Sequence, residues 1–123
     1  MRQGDEWSIV FYIDDNRTSP VEEFLASLDA KTQQRFRWSI EQLRLRNVTA
    51  REPLVRHLEE RLWELREESS TNIYRLIYFF YTGRRIVFLH GFQKKTQRTS
   101  RRDLDAALGR LTRFSQRQGG ETR

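Results

Sequence analysis

The sequence predicts a small α+β domain: an antiparallel sheet with two N-terminal helices packed on one face and a C-terminal helix. Three observations lead to that class. At 123 residues the chain has room for one compact core and little else. Some stretches alternate apolar and polar residues with the period of a strand, and others repeat apolar residues at helical spacing. Taken in order they read strand, helix, helix, three strands, helix, and strands and helices segregated in this way indicate helices packed against an antiparallel sheet. The opposite face of the sheet is then expected to be free for binding. The domain is read as residues 1–118, with 119–123 a flexible tail.

Trp7 to Ile13 alternates and is rich in β-branched and aromatic residues, which predicts a first strand ended by Asp14, Asp15 and Asn16. Ser19 followed by Pro20 is an N-cap with proline at the first helical position, and Glu22 and Glu23 suit the positive end of the helix dipole. A second helix starts with Asp29 as cap and runs to about Arg46, because Phe36, Ile40 and Leu43 repeat at helical spacing. Its other side is basic. Trp38 lies off that stripe, as either a second packing contact or a partner-binding anchor.

Asn47 to Glu60 shows no clear period and contains Pro53, so it is read as a loop with at most one helical turn. Leu62 to Arg66, Ile73 to Tyr81 and Arg85 to Phe92 are strands, and Thr82 with Gly83 makes the last two an antiparallel hairpin. Ser100 with Asp103 resembles a capping box, and Leu104, Ala107, Leu108 and Leu111 continue from it as the apolar stripe of a last helix. The end of the chain, QRQGGETR, is expected to fray.

Composition narrows the chemistry. The absence of cysteine excludes disulfides and thiolate zinc sites, and two histidines are too few for a histidine metal cluster, so no cofactor is expected. The longest uncharged apolar run, LIYFFYTG, is far too short to span a bilayer, and acids flank WSIVFYI where a signal peptide needs a basic entry. A cytoplasmic protein with no membrane partner is expected. The net charge of +6 is uneven: residues 84–123 hold 11 Lys and Arg against 3 acids, and the rest of the chain is slightly acidic. Such segregation favours nucleic acid as a partner over an anionic membrane or an acidic protein segment.

In a strand, alternate side chains share a face. With Tyr74, Leu76, Tyr78 and Phe80 toward the core, Arg75 takes the other face, and Trp63 and Leu65 do the same for Arg66. Ile77 and Phe79 lie on Arg75's side, so alternation alone is compatible with burial of either face. If Lys94 and Lys95 leave their strand beside that surface, two lysines and two arginines converge on a shallow cleft suited to phosphate. Metal-free RNA cleavage needs a base for the 2′-OH, charge on the phosphorane and an acid for the 5′ oxygen, all of which basic residues can supply. The alternatives are structural. Arg75 and Arg66 could pair with Glu64, Glu67 or Glu68, and His90 could be a buried hydrogen-bonded residue.

The segments LWELRE, YRLIYFF and IVFLHGFQKKTQRTSRRDLDAAL, in that order, resemble the phage-derived HigB-like branch of the RelE superfamily of toxins from type II toxin–antitoxin modules. The similarity covers about Trp7 to Phe114. It implies a RelE-like fold and a ribosome-dependent endoribonuclease that cuts mRNA in the ribosomal A site, held inactive by a HigA-like helix-turn-helix antitoxin. It further implies Arg75 as phosphate and transition-state ligand, Arg66 as a second phosphate contact, and Lys94 and Lys95 as base, acid or charge stabilisers. Gln93 and Arg98 are implied as weaker RNA contacts, and the basic run itself makes Arg101 and Arg102 further RNA-binding candidates, with solvated surface as the alternative. The chain departs from many relatives in having no tyrosine after Tyr81 and no histidine after His90. A non-catalytic RNA- or ribosome-binding module and a co-repressor acting with a DNA-binding antitoxin are the competing readings.

Overall fold

The computed structural model describes residues 7–46, 55–69, 71–94 and 98–121. The elements are β1 Ser8–Phe11, α1 Pro20–Ala26, α2 Ala30–Arg46, β2 Val55–His57, β3 Trp63–Ser69, β4 Asn72–Tyr81, β5 Arg85–Lys94 and α3 Arg101–Glu121. The caps form as the residue types require. Ser19 Oγ accepts from the Glu22 amide at 3.1 Å, Asp29 accepts from the amide and hydroxyl of Thr32, and Ser100 Oγ accepts from the Asp103 amide at 3.1 Å. α3 runs as far as Glu121.

The five strands form one sheet in the order β1-β5-β4-β3-β2. β2 to β5 pair antiparallel, whereas β1 runs parallel to β5 with Ser8 opposite Arg85 and Phe11 opposite Phe88. The sheet is therefore mixed rather than purely antiparallel. Alternation reveals a strand but not its direction, and the partner of β1 lies far away in sequence. β2 is a second correction, since it falls in the segment read as a loop. So short a strand cannot show a period of two, and β2 exists because Leu58 and Leu62 close a turn that lays Val55 opposite Leu65. The β4–β5 turn places Gly83 at φ +79° and Arg84 at φ +57°, left-handed conformations that glycine tolerates and arginine adopts under strain.

Both faces of the sheet are covered. On one, Val21 of α1 and Phe36 and Leu43 of α2 pack against Leu65, Leu76, Tyr78 and Phe88. On the other, Ala107 and Phe114 of α3 pack against Ile77, Phe79, Val87 and Leu89. The free binding face expected from the sequence is thus occupied by α3. The reason lies in YRLIYFFY, which is apolar on both sides of the strand apart from Arg75 and so requires a helix on each.

A bulge sets the orientation of the end of β5. Ile77 pairs with His90 and Tyr78 with Phe88, so Leu89 is the extra residue. After it, His90 and Phe92 turn to the α3 side and Gly91 to the α1 side. A Cβ on Gly91 would stand 2.5 Å from Cδ2 of Phe24 and 3.0 Å from Cδ2 of Leu76. Gly91→Ala should therefore displace α1 and cost about 1–3 kcal/mol in urea unfolding, whereas Gly109→Ala, which meets only the flexible end of Arg113, should be neutral or stabilising.

Candidate functional site

Under the N-terminal end of α3 the sheet register assembles a polar cluster on an otherwise apolar face. Arg66 of β3 stands opposite Arg75 of β4, and Arg75 opposite Phe92 of β5. One step along, Glu64, Ile77 and His90 form the next row. Arg75 and Glu64 are each only 2% exposed. Arg75 Nη1 donates to Glu64 Oε2, and Thr99 Oγ1 donates to Glu64 Oε1 at 2.6 Å. Arg56 approaches the same carboxylate from β2, with Nη2 at 3.7 Å. Arg75 Nε is buried with no hydrogen-bond partner among the described residues.

Two guanidinium groups therefore address one buried carboxylate, and positive charge is left over. An isolated buried ion is strongly disfavoured, so neither Glu64 nor Arg75 can be removed alone without exposing the other to that penalty. Thr99 ties the chain just before α3 to this pair, so the carboxylate fixes the entry of the basic segment as well as the strand arginine.

The second part of the site centres on His90. Its Nε2 donates to Asp103 Oδ1 at 2.7 Å, and its Nδ1 accepts from Arg110 Nη1 at 3.0 Å. Arg110 also donates to the Leu89 carbonyl at 2.9 Å, and Asp103 Oδ2 accepts from Ser100 Oγ at 2.7 Å. This pattern requires the neutral Nε2–H tautomer. Burial pushes the His90 pKa below that of a free imidazole, opposed by the hydrogen bond to Asp103 and reinforced by the Arg110 charge. Both ring nitrogens are engaged, so His90 joins β5 to the start of α3 as the hydrogen-bonded residue that was one reading of the sequence. Its stack on Phe92, with ring centroids 5.5 Å apart, completes the contact.

The other sequence-derived residues fall into three groups. Arg66 is half-exposed at the rim, with Nη2 3.5 Å from Glu68, and Lys94 closes β5 opposite Ile73 at the same end of the sheet. Arg98 is exposed just before Thr99, while Lys95 lies outside the described residues. Arg101 and Arg102 are exposed in the first turn of α3, and Arg101 is held by Glu59 at 2.7 Å and Asp105 at 3.0 Å. Gln93 takes the opposite face, beside Tyr74 in register, and bonds Asn72 Oδ1 at 2.8 Å. The sequence reading did not pick out Thr99, Arg56 or the His90–Asp103 contact. Asp103 was legible as a cap, but its second role depends on the bulge.

Among the described residues no group of three or more His, Asp or Glu side chains is placed to hold a metal ion. No helix among them is long and apolar enough to cross a membrane. A mixed sheet between two helical layers, with arginines gathered at one end beneath a helix start, defines a small basic α+β domain. The chain belongs to the Gp49-like family of phage-derived proteins (DUF891), whose family model matches residues 23–112. That family is associated with RelE-like toxins. No curated protein matches the chain.

Two outcomes follow from this geometry. Glu64→Leu and Arg75→Met should each lower unfolding stability by about 3–5 kcal/mol, and the double variant should lose less than the sum, which a urea double-mutant cycle reads directly. The lowered His90 pKa means the unfolded chain binds a proton before the folded one does. Stability should then fall as pH drops through the ordinary imidazole range and level off below the folded pKa, with a shallower slope in His90→Gln by thermal melts from about pH 7.5 to about pH 5.

Proposed function

We propose that this chain is the toxin of a toxin–antitoxin module, a metal-independent, ribosome-dependent endoribonuclease acting on mRNA in the cytoplasm. The observation that carries the reading is the cross-strand placement of Arg66 beside Arg75 at the end of the sheet where Lys94 closes β5. Family membership supports it. Arg66, half-exposed at the rim, would contact phosphate directly. Arg75 lies beneath, compensated by Glu64, and Arg56 on the same carboxylate leaves one net positive charge in the cluster near that surface.

Cleavage would proceed by attack of the 2′-oxygen on phosphorus, expulsion of the 5′-oxygen and formation of a 2′,3′-cyclic phosphate. The proton leaves the 2′-OH to a base and another is given to the departing oxygen, with Lys94 and Lys95 in those roles or as charge stabilisers. Because the histidine of the site has both nitrogens engaged, most of the rate must come from positioning, which the ribosome would supply by holding the mRNA in its A site. Arg98, Arg101 and Arg102 would contact RNA along the start of α3, and Gln93, on the other face, would reach it only around the strand end. A cognate HigA-like helix-turn-helix antitoxin would hold the toxin inactive.

The same engagement of His90, together with the burial of Arg75 against Glu64, favours one second reading: a binding module with this fold that docks on RNA or the ribosome without cleaving. Expression without antitoxin separates the two. The toxin reading expects growth arrest and new mRNA 5′ ends phased to codons, both reduced at least about a hundredfold in a folded Lys94→Ala, Lys95→Ala variant. Normal growth with no new ends, and ribosome affinity that falls steeply with salt, would establish the binding module instead.

A further inference from the structure

We propose that the outward face of α2 is a docking surface for an acidic amphipathic helix of a partner protein. α2 is seated on the sheet by Thr32, Phe36, Ser39 and Leu43, all buried. On its far side Trp38 is 62% exposed and Leu45 52% exposed. The two are one heptad apart and so share a face, with the half-buried, uncharged Gln42 between them. Large exposed apolar side chains are scarce among the described residues, and apart from Ile13 they are these two. Their alignment on one helix face makes a continuous anchor line rather than scattered surface apolar residues.

The surroundings of this line decide the occupant. α2 carries Lys31, Arg35, Arg37, Arg44 and Arg46 against Glu41 alone. By helical position Arg35 and Arg46 flank the line on one side, Arg37 and Arg44 on the other. Glu41 also lies on that second side, where it is taken up by Arg44 at 2.5 Å. A groove of about 480 Å³ runs beside Trp38, lined by Lys31, Gln34, Arg35 and Glu67. Its walls are braced, because Arg35 donates to the Glu68 carbonyl at 2.6 Å and Ser39 donates to Glu67 Oε2 at 2.5 Å.

Two apolar anchors a heptad apart, with a braced groove and basic margins, are complementary to a helix having apolar residues at every third and fourth position and acids beside them. The Gln42 amide can donate to such an acid or accept from a polar neighbour without a charge penalty. Tryptophan is among the residue types that most often dominate such contacts. RNA is the weaker match. Trp38 is a single stacking platform and Leu45 offers a base no ring.

The surface lies on the α1–α2 side of the sheet, whereas the Glu64–Arg75 cluster lies under α3. An occupant of one therefore leaves the other open. Docking here does not depend on the chain being a nuclease.

The test uses the full chain and three probes: a synthetic acidic amphipathic helical peptide with a leucine stripe, a peptide of the same composition with the leucines scattered, and a short oligouridylate. Binding is followed by calorimetry and by tryptophan emission, in which Trp38 should dominate the response because Trp7 and Trp63 are partly buried. The striped peptide should bind with a blue shift, and the scattered peptide should bind at least about tenfold more weakly. Trp38→Ala and Leu45→Ala are substitutions at exposed positions whose melts should match wild type. They should weaken binding by about tenfold and about threefold respectively. Failure of the striped peptide to bind, equal binding of the two peptides, unchanged affinity in either variant, or a Trp38-dependent shift with oligouridylate alone would each overturn the proposal.

Discussion

Burial of one carboxylate governs the arrangement of this protein. Glu64 sits in a small polar cluster on a largely apolar sheet face, sealed under α3, and the Arg75 guanidinium and the Thr99 hydroxyl make that burial tolerable. The register follows from it, since a one-residue slip of β3 against β4 would move Glu64 to the α2 side and strand Arg75 among Ile77, Phe79 and Leu89. So does the path of the chain into α3, because Thr99 is the last residue before its cap. The ion pair adds little net stability over an apolar substitute. What it supplies is specificity: a single register, and a fixed place for the charges around it.

From that point the structure divides into a rigid part and a rim. The β5 bulge turns His90 toward α3, where Asp103 and Arg110 hold both its nitrogens. Asp103 is at once the capping-box acid of α3 and the acceptor for His90, so the helix start is bound to the sheet twice, through Asp103 and through Thr99. Arg66 and Arg98 lie at the edge of this framework, toward solvent. If the chain is the proposed toxin, this basic rim on a fixed scaffold would meet an mRNA whose shape is set by the ribosome.

Much of this was legible in the sequence. Ser19-Pro20, Asp29 and Ser100-Asp103 marked the three helix starts because capping chemistry is local, and Thr82-Gly83 marked the hairpin for the same reason. Long-range pairing was not legible. The parallel contact of β1 with β5 joins residues far apart, and β2 is too short to show any period. The place of α3 could have been inferred, since Ile77 and Phe79 lie on Arg75's own face and require a cover. Their burial and the pairing of Arg75 with Glu64 are one fact: an arginine on such a face needs a buried acid, and Glu64 stands on the neighbouring strand. His90 with Asp103 could not have been paired, because the bulge that brings them together has no signature in FLHGF.

The most direct measurement of what this surface does uses purified components. A defined mRNA, free in solution or positioned on 70S ribosomes with a vacant A site, is incubated with the protein and its 5′ and 3′ ends are mapped. If the protein supplies charge and the ribosome supplies geometry, the ribosome-bound message is cut within the A-site codon, leaving a 2′,3′-cyclic phosphate, and the free message stays intact at the same concentration. Equal cutting of both messages, or none of either by protein shown to be folded and ribosome-bound, would contradict that division of labour.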